Sequence, residues 1–179
     1  MTMRPFTLEI EDLCTSLAAF RAGRLAPAAF LKTRTRLGIY GLRGASDRYM
    51  LRIKLPAGIL TARGLRCIAD IARKMNPEGM LHITTRQDIE LHGLPEDGLA
   101  EALARLDAAG LTSLGSGGPG VRNIVCCPLS GVAQEGTFDA TPYAEALHRY
   151  FLGDSRYEAL PKKIKISFES CGGDHVGLL

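Results

Sequence analysis

A chain of 179 residues has room for one domain and part of a second. Its 46% hydrophobic and 23% charged residues are the composition of a globular protein, and a net charge of +3 is too mild to point to nucleic acid. No apolar run approaches the roughly 20 residues of a bilayer span. Met1 to Ile10 lack the apolar centre of a signal peptide, so the expected location is cytoplasmic, with no membrane partner.

Phosphorus and metal motifs are sparse. The five cysteines are Cys14, Cys67, Cys126, Cys127 and Cys171, an odd number with no Cys-x-x-Cys pair. Their spacing predicts neither a disulfide framework nor a four-thiolate site. The histidines (His82, His92, His148, His175) lack helical metal-ligand spacing, and no metal ligand is assigned.

In chain order, residues 1–45 read as a helical lead-in. Leu13, Leu17 and Phe20 recur at helical spacing, Gly23 interrupts, and Pro27 suits the first turn of a second helix ending near Gly38. Residues 48–55 alternate: Tyr49, Leu51, Ile53 and Leu55 face one way, Met50, Arg52 and Lys54 the other, as in a strand. Residues 61–75 predict a helix with Leu65, Ile68, Ala69 and Ala72 as its apolar stripe. Residues 80–93 read as two extended runs around Arg86-Gln87. A helix follows over 97–109, striped by Leu99, Ala102, Leu103 and Leu106, and Gly110 stops it. A short strand near Thr112 would complete a ferredoxin-like β-α-β-β-α-β unit.

Residues 115–120, GSGGPG, mark the best domain boundary and read as a flexible connection. They lack the Gly-Lys-Ser/Thr ending of a phosphate loop and the strand–turn–helix setting of a dinucleotide fingerprint. Beyond them lie VRNIVCCPLSG, a helix from Thr141 with Thr141 as N-cap and Pro142 in its first turn, and an alternating strand over 162–168. The predicted division is a lead-in over 1–45, a half-domain over 46–114 and the start of a second domain over 115–179.

Cations sit where a solvated strand does not need them. Arg52 and Lys54 share one strand face, Lys163 and Lys165 share another, and Arg122 follows the glycine-rich turn. Several cations converging on one cavity would hold an anion, Arg by its planar fork and Lys as a compact charge. The alternative is that these are exposed strand edges. Arg86 either joins the same cavity or caps carbonyls in its turn, and His92 either serves the site or is a packed, hydrogen-bonded histidine.

MLRIKLPAG, TTRQDIELHG, GVRNIVCCPLSG and LPKKIKISF occur in an order and spacing that resemble the nitrite/sulfite reductase family, over roughly residues 24–170. The resemblance implies an α+β fold: a ferredoxin-like half-domain followed by the beginning of a mixed α/β sirohaem-binding domain. It implies sirohaem coupled to a [4Fe–4S] cluster, and reduction of sulfite to sulfide or nitrite to ammonia. It implies an electron-donor protein or subunit as partner. Carried over motif by motif, it makes Lys54, Arg122, Lys163 and Lys165 catalytic, with Arg52, Arg86, His92 and Asn123 against the cofactor. Lys54 stands where relatives most often have arginine, which keeps the charge and loses the fork.

The family's cluster cysteines lie downstream of the LPKKIKIS motif, and Cys171 is not assigned among them. The chain therefore reads as an N-terminal fragment, inactive as a reductase by itself. Its last strand would expose an unpaired edge that invites a homo-oligomer. Two further readings are a non-catalytic module that binds a tetrapyrrole or a partner, and a small-ligand regulatory domain. The second leaves the Lys163/Lys165 strand unexplained.

Overall fold

The computed structural model describes residues 5–45, 47–76, 80–134, 136 and 138–177. Two helices, α1 (Phe6–Arg21) and α2 (Pro27–Arg36), lead into a four-stranded antiparallel sheet. The sheet runs β1 (Ile39–Gly41), β2 (Arg48–Ile53), β4 (Ile89–Pro95), β3 (Leu81–Ile83) from edge to edge. Helices α3 (Ala62–Met75) and α4 (Leu99–Ala108) connect and cover it. Taken from β2 onward, this is the β-α-β-β-α order of a ferredoxin-like unit, so the predicted α+β class holds.

The fourth-strand position differs from expectation. Thr112 makes only an isolated bridge, accepting the amide of Lys54 at 2.9 Å. The rest of that edge is taken by β1, in a segment read from sequence as helix and connection. Three residues after a helix leave too little periodicity to register as a strand.

The core is the inner face of β2 and β4 against α3 and α4. Leu51, Ile53, Ile68, Ile71, Leu91, Leu103 and Leu106 are fully buried there, and Leu13 and Phe30 bring α1 and α2 into the same cluster. The buried stripe of α3 is Gly64, Ile68, Ile71 and Met75, while Leu65 is 52% exposed. The predicted stripe was thus rotated, because Leu60 and Leu111 close over Gly64, where a side chain would collide.

The glycine-rich segment is packed rather than flexible. Ser113, Ser116, Gly117 and Gly120 are buried. A Cβ on Gly117 would strike the Thr35 carbonyl and lie 2.6 Å from the Tyr40 hydroxyl. Gly38, at φ +74°, gives Ser116 its place, and the Ser116 hydroxyl donates to Arg52 O at 2.8 Å. Glycine here permits close approach of backbone to backbone, a use that composition does not distinguish from flexibility.

Beyond it, β5 (Val121–Cys126) and β6 (Ile164–Phe168) pair in parallel, with α5 (Thr141–Phe151) between them in sequence. Ile124, Cys126, Ala140 and Ala144 form a second small core. Ala140 is the N-cap of α5 and Thr141 its first helical residue, with Asp139 just before accepting the Thr141 amide at 2.9 Å. Arg36 ties the two parts together: its guanidinium bonds the buried Glu9 of α1 and Glu158, the latter at 2.7 Å. Among the described residues no helix is long and apolar enough to cross a membrane.

Candidate functional site

The end of β2, the turn between β3 and β4, and β5 meet at one seam, and most of the predicted cations gather there. Lys54 is buried, and its Nζ donates to Val121 O at 3.1 Å. Burial draws its pKa down to about 8; Asp88 pulls the other way and Arg122 adds to the fall.

Arg86 lies in a turn closed by Gln87 in the left-handed region, φ 58°. Its guanidinium donates to Asn123 O at 2.6 Å and Ile166 O at 3.1 Å, and contacts the Ser167 hydroxyl at 3.4 Å. It therefore pins both parallel strands to the sheet, as a carbonyl-capping arginine would. Gln87 reinforces the seam, its amide exchanging two hydrogen bonds with the backbone of Cys126, at 2.6 and 3.0 Å. Asn123 faces the seam from β5 and donates to Leu55 O at 2.8 Å and Arg86 O at 3.0 Å.

Sequence reasoning missed the group these cations surround. Asp88 is buried, and Arg52, Lys54, Arg122 and Arg86 all act on its carboxylate. Burial outweighs their pull and lifts its pKa to about 6. Among the described residues its Oδ1 has no hydrogen-bond partner, nor do Arg86 Nε and Asn123 Oδ1. Buried polar atoms of this kind are satisfied by water or by a polar ligand. A lone aspartate after a turn gives no periodic or motif signal, which is why it was overlooked.

Arg52, which also acts on Asp88, meets His92 at Glu90. Arg52 Nε donates to Glu90 Oε1 at 2.9 Å, and His82 and His92 contact Glu90 Oε2 at 3.1 and 3.2 Å. The buried Glu90 resists its own desolvation, and bonds from Arg52 and His82 hold its carboxyl below the usual range. Lys163 and Lys165 are exposed, with no ion pair or hydrogen bond among the described residues. Lys165 follows Ile164, the partner of Val121, which puts it on the strand beside Arg122.

Lys54 also borders two cavities. One, of about 510 Å³, lies between α2, the glycine-rich segment and the chain after α5, and includes Leu31, Arg36, Gly117, Phe151 and Tyr157. The other, of about 310 Å³, includes Pro56 and His148. Burial, with Lys54 and Arg149 nearby, lowers the His148 pKa to about 4, so this imidazole is neutral beside the lysine.

The cysteines do not assemble into four. Cys14 is exposed on α1, Cys67 on α3 donates to Arg105 O at 3.3 Å, and Cys126 belongs to the small core. Cys127 and Cys171 alone meet, with sulfurs 3.4 Å apart.

Comparison with known proteins matches both parts of the chain. Residues 40–109 match the nitrite/sulfite reductase ferredoxin-like half domain, and residues 117–178 match the nitrite and sulphite reductase 4Fe-4S domain. The ferredoxin–nitrite reductase of Synechococcus elongatus is 35% identical over 137 residues, covering 74% of this chain and 27% of that protein. The chloroplastic ferredoxin–nitrite reductase of Arabidopsis thaliana is 35% identical over 120 residues, 65% of this chain and 20% of that protein. The chain thus spans 20–27% of these relatives' length. The fold is like that of the Mycobacterium tuberculosis NirA protein, with a TM-score of 0.74 at 20% identity, over 90% of this chain and 35% of that one. With two adjoining modules of one family matched in order, and the fold agreeing, the chain belongs to the nitrite/sulfite reductase family.

Proposed function

We propose that this chain contributes the ferredoxin-like half-domain and the first part of the sirohaem-binding domain to a reductase of small oxyanions. The division falls in the packed glycine-rich segment at 115–120. The observation that carries the reading is the seam itself: four cations around Asp88, with three buried polar atoms still lacking partners. The ferredoxin–nitrite reductases among its relatives favour nitrite as the anion and ferredoxin as the electron donor.

The residues suit sirohaem by their chemistry. Among the described residues Arg122, Lys163 and Lys165 make no side-chain hydrogen bond or ion pair and would serve its carboxylates or the substrate, and Asn123 and Arg86 retain unused polar atoms at the seam. When bound, sirohaem would supply the electron transfer to the anion. Arg122 would attract the anion and stabilise negative charge as it develops. Lys54, its pKa drawn down to about 8, holds a proton that it can release near neutral pH, and Asp88 near 6 can take one up. Arg52 and His92 would act through Glu90, as positioning residues.

An iron–sulfur cluster finds no such fit. Four thiolates are not brought together among the described residues. The chain alone is therefore inactive in this reading, and β6, paired on one edge with β5, leaves its other edge for a second copy.

The alternative of a non-catalytic binding module draws support from the internal engagement of Arg52 and Arg86. Complementation separates the two. The cluster-bearing C-terminal part of a ferredoxin–nitrite reductase would be mixed with this chain, sirohaem, nitrite and reduced ferredoxin. Nitrite consumption supports the reductase reading. Failure, where the relative's own N-terminal part restores turnover, supports the module.

A further inference from the structure

The parallel pairing of β5 and β6 brings their C-terminal ends side by side, so Cys127, just after β5, meets the segment that follows β6. There Glu169, Cys171 and His175 turn back on Cys127, and one ligand atom from each lies within 4.8 Å of all the others. The Cys127 and Cys171 sulfurs are 3.4 Å apart. His175 Nδ1 is 3.6 Å from the first and 2.9 Å from the second. Glu169 Oε1 is 3.5 Å from Cys171 Sγ and 3.4 Å from His175 Nδ1.

These are five of the six edges of a four-cornered cluster, and the sixth, Glu169 to Cys127, is no longer than 4.8 Å. A zinc ion with Zn–S near 2.3 Å and Zn–N or Zn–O near 2.0 Å separates its ligands by about 3.8 Å (S to S), about 3.5 Å (S to N or O) and about 3.3 Å (N to O). The Cys171–His175 edge is short by about 0.6 Å and the sulfur–sulfur edge by about 0.4 Å, and Cys171 and His175 both lie on the loop after β6, with His175 exposed. Cys127 is 3% exposed and forms the inner corner.

The loop is shaped for this arrangement. Glu169 Oε2 accepts the His175 amide at 2.9 Å, closing the turn. A Cβ on Gly173 would lie 2.6 Å from His175 Cε1 and 3.0 Å from Nε2, so glycine there leaves the space the imidazole occupies. Cys171 and His175 lie four residues apart within this one loop, so both reach the same cluster.

We infer that Cys127, Cys171, His175 and Glu169 form a binding site for a thiophilic divalent metal ion, zinc by preference. Two thiols, an imidazole and a carboxylate select zinc over the hard oxygen-seeking cations, and binding releases the two thiol protons to solvent. The ion would staple the exit of β6 to the exit of β5.

The test uses the 179-residue chain, reduced and stripped of metal. Cobalt(II) titrated into it should raise a thiolate-to-cobalt charge-transfer band and the visible bands of tetrahedral cobalt, saturating at about one ion per chain, and zinc should abolish them. Cys171→Ser and His175→Ala, both on the outer loop, should each weaken zinc on the order of 100-fold. Cys14→Ser should bind as the parent does. Absence of the thiolate band in the folded parent would overturn the site. So would its persistence at full strength in Cys171→Ser, or quantitative closure of a Cys127–Cys171 disulfide that reductant and zinc together fail to reverse.

Discussion

Lys54 Nζ donates to the carbonyl oxygen of Val121 at 3.1 Å, across the seam between the four-stranded sheet and the parallel pair. The same residue's backbone amide bonds Thr112 O at 2.9 Å. A single lysine thus fastens the half-domain's open edge and reaches into the second part with a buried charge.

That charge has a cost that pH reveals. The folded pKa of Lys54 is lowered from 10.5 to about 8, so its favourable contribution is present above the unfolded value and lost as pH falls through about 8. The difference is worth about 3 kcal/mol. Lys54→Met removes it but leaves Val121 O unbonded, which costs about 1–3 kcal/mol. The parent's urea midpoint should rise between pH 8 and 10, while that of Lys54→Met stays flat and lies at or above the parent's at pH 7. A parent midpoint flat over that range would show that Lys54 is not desolvated.

Asp88 gives the opposite slope. Its folded pKa is raised from 3.8 to about 6, so its contribution is fully present below about pH 4 and lost as pH rises through 6. Again the scale is about 3 kcal/mol. Asp88→Asn should flatten the fall in stability between pH 4 and 6. It should also lower the Lys54 pKa further, since the carboxylate is what raises it. Amine titration by NMR checks the second effect, and an unchanged Lys54 would contradict the coupling.

Arg86→Ala removes three bonds to β5 and β6, with hydrogen bonds to a charged group worth roughly 1.5–3 kcal/mol each. A loss of about 3 kcal/mol is expected, since water replaces part of them, and amide exchange should quicken in β5 and β6 before the sheet. Arg86→Lys should not restore protection, because an ammonium cannot span the two carbonyls as the fork does. Equal protection in all three proteins would refute the pinning role.

Gly117→Ala places a methyl against the Thr35 carbonyl and the Tyr40 hydroxyl. Overpacking against backbone should cost about 1–3 kcal/mol, whereas Gly44→Ala probes an open turn where only the positive φ, +81°, resists. Thermal denaturation of both variants is the check. A Gly117→Ala protein as stable as the parent would return the segment to a flexible connection.

The long amphipathic elements were legible in the sequence because burial imposes a period. Leu99, Ala102, Leu103 and Leu106 line the buried face of α4 as their spacing predicts. Residues whose role depends on a distant strand carried no such signal. Asp88 acquires Arg52 and Lys54 only when β4 lies beside β2, and Arg122 only when β5 docks, while Cys127 meets its partners 44 and 48 residues away only when β5 and β6 pair in parallel. Arg52 and Lys54 were legible as a pair on one face, yet their partners, Glu90 and Val121 O, divide them between two environments.

In the proposed function the seam around Asp88 receives an anionic tetrapyrrole through Arg122. Sirohaem titrated into the chain and followed by absorbance tests it directly, with Arg122→Ala and the exposed control Arg73→Ala alongside. Saturable binding by the parent and by Arg73→Ala, weakened about tenfold or more in Arg122→Ala, is the predicted result, a tenfold loss being about 1.4 kcal/mol for one charged contact. Equal binding by all three proteins, or none by a parent shown to be folded, would contradict it.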